Sequence, residues 1–457
     1  QVNGSLRTIP DAGVSHPGSL DRFVSLYTNT ALTYDKKYTL SGSVRRDASN
    51  LFGVNTNQKG VPLWSTGLAW MLSEEGFYTS GWMPYLKMRA TYGYSGNIDK
   101  TVTAFLTARA LSGAYNGLTG LPYAQITNPP NPDLRWEKIR TVNLALDFAT
   151  KNDRISGSVE FYSKLGSDLF GDFPVSPSSG VRQMRGNFAE TLTRGMDLQL
   201  VSKNVTGERF TWDTRFFIST VKEKVTKYDQ EASVINFMAY YGTYPVEGRP
   251  LFGVYSYPWT GLDPDTGDPQ GMLGGEPSTD YLNILTQATE ESVTYHGPSR
   301  PTVFGGLMNN FSYGGLSLSF NISYRLGYYY KRASVDYVSV YSGDIPHADF
   351  AQRWIKSGDE QRTDIPSMPA NSNSLRDLFY AHSEVLVEKA DNIRLQDVRI
   401  AYSFNTKALG IPMQRLEWYL YANNLGILWK ASSDRLDPDY RSMRPLRSFA
   451  TGVRIEF

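Results

Sequence analysis

Strict alternation of apolar and polar residues is the feature that most limits what this chain can become. Leu316, Leu318, Phe320, Ile322, Tyr324 and Leu326 alternate with Ser317, Ser319, Asn321, Ser323 and Arg325. Only a strand sends two such sets to opposite faces, because successive Cβ atoms point to opposite sides. The pattern returns at Val142, Leu144, Leu146 and Phe148, against Thr141, Asn143 and Asp147. It returns again at Leu416, Trp418, Leu420 and Ala422, against Glu417, Tyr419, Tyr421 and Asn423. The last residues repeat it, with Val453, Ile455 and Phe457 alternating with Gly452, Arg454 and Glu456. Around Gln396 and Asp397 the phase slips, from Ile393 and Leu395 to Val398 and Ile400, which predicts a β-bulge.

Composition narrows the class. No run of about 18 apolar residues exists, which excludes ordinary transmembrane helices. With 46 Lys+Arg against 45 Asp+Glu the net charge is +1, so a nucleic-acid partner is not expected. The absence of cysteine removes disulfide scaffolds and thiol chemistry.

Connections alternate in length. Short turns fall at Asp35-Lys36-Lys37, Lys151-Asn152-Asp153, Asn204–Glu208 and Tyr313-Gly314-Gly315, with long excursions at roughly 96–135, 167–190, 226–300 and 331–390. Short helices are expected near Glu74–Met83 and Thr406–Met413. Short turns on one side and long loops on the other describe an all-β transmembrane antiparallel β-barrel with extracellular loops. The expected strands are 23–34, 37–46, 61–73, 84–95, 136–150, 154–166, 191–204, 209–225, 301–313, 315–330, 391–404, 415–424 and 447–457. These thirteen strands are an odd number, whereas bacterial single-chain barrels close with an even one and with both ends inside. The expectation is therefore that 1–457 is the C-terminal part of one larger barrel domain.

Six segments then bring a family into view. Ser43-Val44-Arg45-Arg46-Asp47-Ala48-Ser49-Asn50-Leu51-Phe52-Gly53 resembles the "slRxDgSsrFG" segment of SusC/RagA-type TonB-dependent outer-membrane transporters. Gly67-Leu68-Ala69-Trp70 with Ser73–Phe77 is similar to their "GW-x-iseE-x-F" stretch, and Leu86–Gly93 with Gly96-Asn97 to "LKlRaSyG-x-tGN". Asn131–Glu137 resembles "NPdLkWE", Gly261–Pro269 resembles "GlDpeTGdP", and Asn392–Val398 with Tyr419–Asn424 resembles the closing strands. The matches keep family order over nearly the whole chain. The resemblance implies import of bulky nutrients, glycan oligosaccharides or peptides, across the bacterial outer membrane. It implies a SusD-like surface lipoprotein over the loops and the TonB complex acting on a plug. The plug and the first strands of a barrel of about 22 strands lie outside this sequence, so the rest of the same barrel is an expected partner, as is outer-membrane lipid. A transport-inactive SusC-like scaffold subunit is the alternative.

Candidate contact residues follow. Tyr240, Tyr241, Tyr255, Tyr257 and Trp259 lie in a long loop and are candidates for substrate or partner contact; for Trp259, loop packing weighs against it. Tyr328-Tyr329-Tyr330 closes a strand and reads as an interfacial girdle. Alternation makes Arg325, Glu417, Tyr419, Tyr421 and Asn423 lumen-facing. Val453, Ile455 and Phe457 match, through the resemblance to outer-membrane barrels, a C-terminal signal for insertion. Asp263-Pro264-Asp265-Thr266-Gly267-Asp268 invites calcium, but its spacing is not that of an EF-hand and the residues make turns unaided; a turn is expected and no metal or cofactor. The four histidines are scattered, without His-Glu-x-x-His spacing or a Gly-x-Ser-x-Gly elbow, so no enzyme is expected.

Overall fold

The computed structural model describes residues 22–50, 60–100, 103–176, 178, 180–181, 183–228, 233–239, 244–406, 412–440 and 443–457. Thirteen long strands form one sheet: β1 (Phe23–Tyr34), β2 (Tyr38–Ser49), β3 (Gly60–Met71), β4 (Tyr85–Asn97), β5 (Glu137–Ala149), β6 (Ile155–Pro174), β7 (Gln183–Thr206), β8 (Phe210–Tyr228), β9 (Val303–Tyr313), β10 (Leu316–Leu326), β11 (Asn392–Phe404), β12 (Arg415–Lys430) and β13 (Ser448–Glu456). Their order in the sheet is their order in the chain. Each expected strand is therefore present, in an unbroken antiparallel meander.

The tight turns explain the hairpins. Asp35 and Lys36 have φ of 49° and 56°, and the Lys37 amide donates to the Tyr34 carbonyl at 3.0 Å. Left-handed residues in this position give the turn the twist that flanking strands need. Asn152 and Asp153, at φ 62° and 51°, and Gly314, at 57°, serve two further turns on that side. The bulge at Gln396 is also present. Asn321 pairs with Asp397 and Ile322 with Leu395, so Gln396 is left over. That extra residue keeps Leu395 and Val398 on the same face despite the slipped phase.

Register separates the two faces. One row crosses the sheet as Met88, Leu146, Val159, Leu198, Ile218, Gly305 and Tyr324. The next row, on the opposite face, is Arg89, Ala145, Glu160, Asp197, Ser219, Phe304 and Arg325. An apolar outer face meets lipid, and a polar inner face meets water. Aromatic residues gather on the outer face near the short turns. Trp212 stacks on Phe311 at 5.5 Å between centroids, Phe311 on Phe320 at 6.0 Å, and Tyr402 meets Phe404 edge-on at 4.9 Å.

β6, β7 and β12 run well past the bounds that the alternation indicates. β6 and β7 continue to Pro174 and from Gln183, through register shifts between Gly166 and Phe170. Asp168, at φ 55°, turns there to meet Arg135 at 2.5 Å and Lys138 at 3.2 Å, which erases the period-2 signal. β10 stops at Leu326 instead of 330 because Gly327, at φ 75°, turns the chain.

The buried core lies above the wall, in the two longest connections. Helices α1 (Val234–Ala239), α2 (Tyr281–Thr286), α3 (Tyr337–Tyr341) and α4 (Ser374–Ala381) accompany short strand pairs, Gly253–Ser256 with Thr294–Pro298 and Tyr329–Lys331 with Val387–Lys389. Phe237, Met238, Tyr255, Tyr257, Tyr281, Ile284 and Phe379 pack into one cluster. Burying each such side chain contributes roughly 1.5–3 kcal/mol, enough to fold what the sequence presents as loops.

Single cysteines test the two faces, since the chain has none of its own. In intact outer membranes Leu318→Cys is expected to resist a water-soluble maleimide and to meet a lipid-borne quencher, while Asn321→Cys reacts with the maleimide. The reverse pattern would mean the faces are assigned the wrong way round.

Candidate functional site

The candidate site is the polar inner face together with the loop body above it. On the wall, Arg89 grips the Asp147 carboxylate at 2.7 and 2.8 Å and lies 3.9 Å from Glu160. Glu417, nearly buried, sits between Arg399 and Arg415, and Arg399 lies over the Tyr419 ring at 5.0 Å. Pairing of Asn423 with Asp397, Tyr421 with Arg399, Tyr419 with Ala401 and Glu417 with Ser403 puts these residues on the face of Arg325 and Arg89. Val453 and Ile455 pair with Trp418 and Leu416 on the opposite face, and all three residues of the closing pattern, including Phe457, are exposed.

At the upper end of the wall an ion network holds a connection down. Arg394 meets both carboxylate oxygens of Asp437 and reaches Asp439 at 2.7 Å. Arg325 meets the same Asp439 at 3.0 Å. The Tyr328 hydroxyl donates to Asp439 at 2.7 Å, and the Asn392 amide donates to that hydroxyl at 2.9 Å. Charge-assisted, two-pronged contacts of this kind fix geometry as well as energy.

Several expected contact residues are placed elsewhere. Tyr255 and Tyr257 are each 3% exposed. Tyr255 packs on Phe237 at 4.6 Å and Tyr295 at 5.2 Å, and Tyr257 on Phe379 at 5.9 Å. Their rings are consumed by the loop core and present no surface to a ligand. Trp259 is half-buried against Tyr380 at 6.0 Å. Tyr240 and Tyr241 lie outside the described residues. Tyr328 and Tyr330 are buried too, with hydroxyls on Asp439 and Ser432 of the β12–β13 connection, so they join two connections instead of forming a girdle.

The acidic segment is a latched turn. Asp263 Oδ1 accepts from the Asp265 amide at 3.0 Å and from the Thr266 amide and hydroxyl at 2.8 and 3.0 Å. Burial alone would raise the Asp263 pKa, but those donors hold it below the usual carboxylate range. Gly267 has φ 71°, and a Cβ there would meet Trp354 at 2.4 Å. Asp268 accepts from Arg376 at 2.7 Å, and Arg376 also donates to the Ser367 carbonyl at 2.7 Å. The turn is thereby locked to α4.

One feature of the loop body gives no signal in the sequence. Lys331 is almost wholly buried, and its ammonium nitrogen contacts His382 Nδ1 at 2.9 Å and the Met238 carbonyl at 3.4 Å. Burial lowers the Lys331 pKa to about 7. Burial, then the nearby Lys331 charge, lowers His382 to about 3. His296, within 2.8 Å of the Ser256 hydroxyl, is lowered mainly by burial as well. One histidine, His382, thus meets a buried lysine from the far end of the same connection.

Both folded-state values lie below those of the unfolded chain, so the unfolded loop body binds more protons and stability rises with pH. The Lys331 contribution grows from about pH 7 toward 10.5, and the His382 contribution is lost as pH falls from 6.5 toward 3. Limited proteolysis of 327–391 is expected to slow between pH 6.5 and 9 in the wild type. Lys331→Met is expected to flatten that dependence, and an unchanged slope would remove Lys331 as its source.

The geometry defines a class: an outer-membrane β-barrel wall with an apolar outer face, a polar inner face and large folded loops on one side. The sequence model of the TonB dependent receptor-like β-barrel family matches residues 7–425, and the chain belongs to that family. TonB-dependent receptor P39 of Formosa agariphila is 26% identical over 435 residues, covering 84% of this chain and 40% of that protein. TonB-dependent receptor SusC of Bacteroides thetaiotaomicron is 28% identical over 198 residues, covering 42% of this chain and 19% of that protein. The RagAB peptide transporter superposes with a TM-score of 0.76 at 21% identity, covering 96% of this chain and 48% of that one. The chain spans less than half the length of the curated relatives it matches.

Proposed function

We infer that this chain supplies barrel wall and extracellular loops to a SusC/RagA-type transporter that imports bulky nutrients, glycan oligosaccharides or peptides, across the outer membrane. The observation that carries this reading is the continuous polar inner face beneath a separately packed loop body. A solid barrel core would have filled that face with apolar side chains, whereas charged rows running from Arg89 to Arg325 suit a water-filled or plugged lumen. Arg325, Glu417, Tyr419, Tyr421 and Asn423 line that lumen in this reading. The role is transport and not catalysis.

The edges of the sheet support a further part of the reading. Among the described residues β1 pairs only with β2, and β13 only with β12. In hydrocarbon an unpaired strand edge is not viable. β1 and β13 also run in the same direction, so joining them would need a parallel seam. Further strands of the same barrel therefore complete the wall, around a plug on which the TonB complex acts. A SusD-like lipoprotein covers the loop body, and Trp259, Tyr240 and Tyr241 are candidates for contact with it or with substrate. Val453, Ile455 and Phe457 act as the insertion signal at the closing strand.

Deleting the gene for the whole protein is expected to abolish growth on at least one oligosaccharide or peptide mixture while leaving growth on its monomers intact, and removing TonB should give the same loss. Unchanged uptake of every oligomer tested would contradict import and leave a scaffold.

A further inference from the structure

On the outer face of the wall, above the apolar rows, lies a group of cations that transport through the lumen does not use. The outward row of β8 runs Phe216, Ile218, Thr220 and then Lys222 and Lys224. Lys222 pairs with Arg194 and Lys224 with Leu192 on β7, so all four side chains leave the same face. Glu223 and Thr193 point the other way. Arg300 joins them from the chain entering β9, with its guanidinium 3.3 Å from the Phe252 ring centroid. Arg194, Lys222, Lys224 and Arg300 are exposed, and among the described residues none has a carboxylate within 4.0 Å.

These cations border a cavity of about 780 Å³. Leu192, Arg194, Lys222 and Lys224 of the outer row line it, together with Val221, Glu223 and Phe304, which belong to the inner row by register. Phe252 and Pro298 give it an apolar flank. Its height also matters. Lys222 is ten residues along β8 from Trp212 of the aromatic cluster by the short turns. At ~3.4 Å per residue and a tilt of ~40°, that is roughly 26 Å along the barrel axis, against an apolar band of about 25 Å. The cations stand where outer-leaflet headgroups begin.

We propose that Arg194, Lys222, Lys224 and Arg300 form a binding site for a phosphorylated outer-leaflet glycolipid, an acylated sugar carrying phosphate. The phosphate is held by the cations as a charge-assisted anion. Acyl chains run down the apolar rows past Leu192 and Met196, and the sugar rests against Phe252 and Pro298. The site ties the wall to the membrane on the side where the loop body, through Val225 and Arg249, is attached. The proposal rests on the outer-membrane placement of the fold but on no particular cargo.

The test uses the whole assembly, extracted in detergent, stripped of lipid and measured by native mass spectrometry with added lipid A. Wild type is expected to retain phosphorylated lipid A and to bind the dephosphorylated form far more weakly. The triple variant Arg194→Gln/Lys222→Gln/Lys224→Gln is expected to lose on the order of 100-fold in affinity, each cation near an anionic surface counting for roughly a factor of five. Lys36→Gln/Lys151→Gln, at the opposite turns, should bind as wild type does. Equal retention of both lipid forms, or no loss in the triple variant, overturns the proposal. Competition by millimolar inorganic phosphate at full strength also overturns it, as the mark of a soluble-anion site. Heat-modified gel mobility checks that each variant is a folded barrel; if the triple variant is not, Lys222→Gln and Lys224→Gln singly carry the test, each with about a fivefold loss. Loss of the protein from carbonate-washed membranes would instead sink the placement itself.

Discussion

Every backbone N–H and C=O inside the hydrocarbon must find a partner within the protein, because no water is there to replace it. The rest of the structure follows from that demand. It requires strands long enough to cross, laddered without interruption, and it forbids crossing connections within the sheet. The unbroken order from β1 to β13 is the simplest solution, since each strand is satisfied by its neighbours in sequence. Once the ladder is continuous, side-chain alternation alone divides lipid from lumen. A shift of one residue would turn a whole strand inside out, and the bulge at Gln396 shows how the chain inserts a residue without paying that penalty.

A wall of this kind has no interior of its own. Its strands carry one side to lipid and the other to water or to whatever fills the lumen, so the packed core has to be elsewhere. It lies in the connections, where Phe237, Tyr255, Tyr281 and Phe379 form a small folded body. The Val225 backbone binds the 246–249 segment of that body to the wall, and Tyr328 joins the body to Asp439 in the β12–β13 connection, which Arg325 and Arg394 hold to the wall. The division of labour is between a rigid ladder that fixes position and a packed loop body whose buried Lys331–His382 contact makes it sensitive to protons.

The alternation made the wall legible from the sequence, down to the bulge, because lipid and water sort side chains with a strict period of two. Outside the bilayer that sorting stops. β6 and β7 continue past Asp168 with no visible pattern, since their faces there meet other protein and water in no fixed order. The loop body was illegible for the same reason. Tyr255 and Tyr257 have the spacing of a strand face, but nothing local tells a buried strand from an aromatic surface. Tyr281, Ile284 and Leu285 have helical spacing on a helix of only six residues, too short to stand out. Lys331 gave no signal at all, because a buried amine is defined by what folds over it.

The wall's two edges carry the most direct test of the account. The measurement is an electron cryo-microscopy structure of the assembly drawn from native outer membrane, resolved well enough to trace hydrogen bonds at Phe23–Tyr34 and Ser448–Glu456. The account predicts an antiparallel partner strand from beyond this sheet on each edge, with Leu318 and Ile400 facing lipid and Arg325 and Glu417 facing the lumen. A sheet in which β1 and β13 pair directly, or in which the charged row faces lipid, would contradict it.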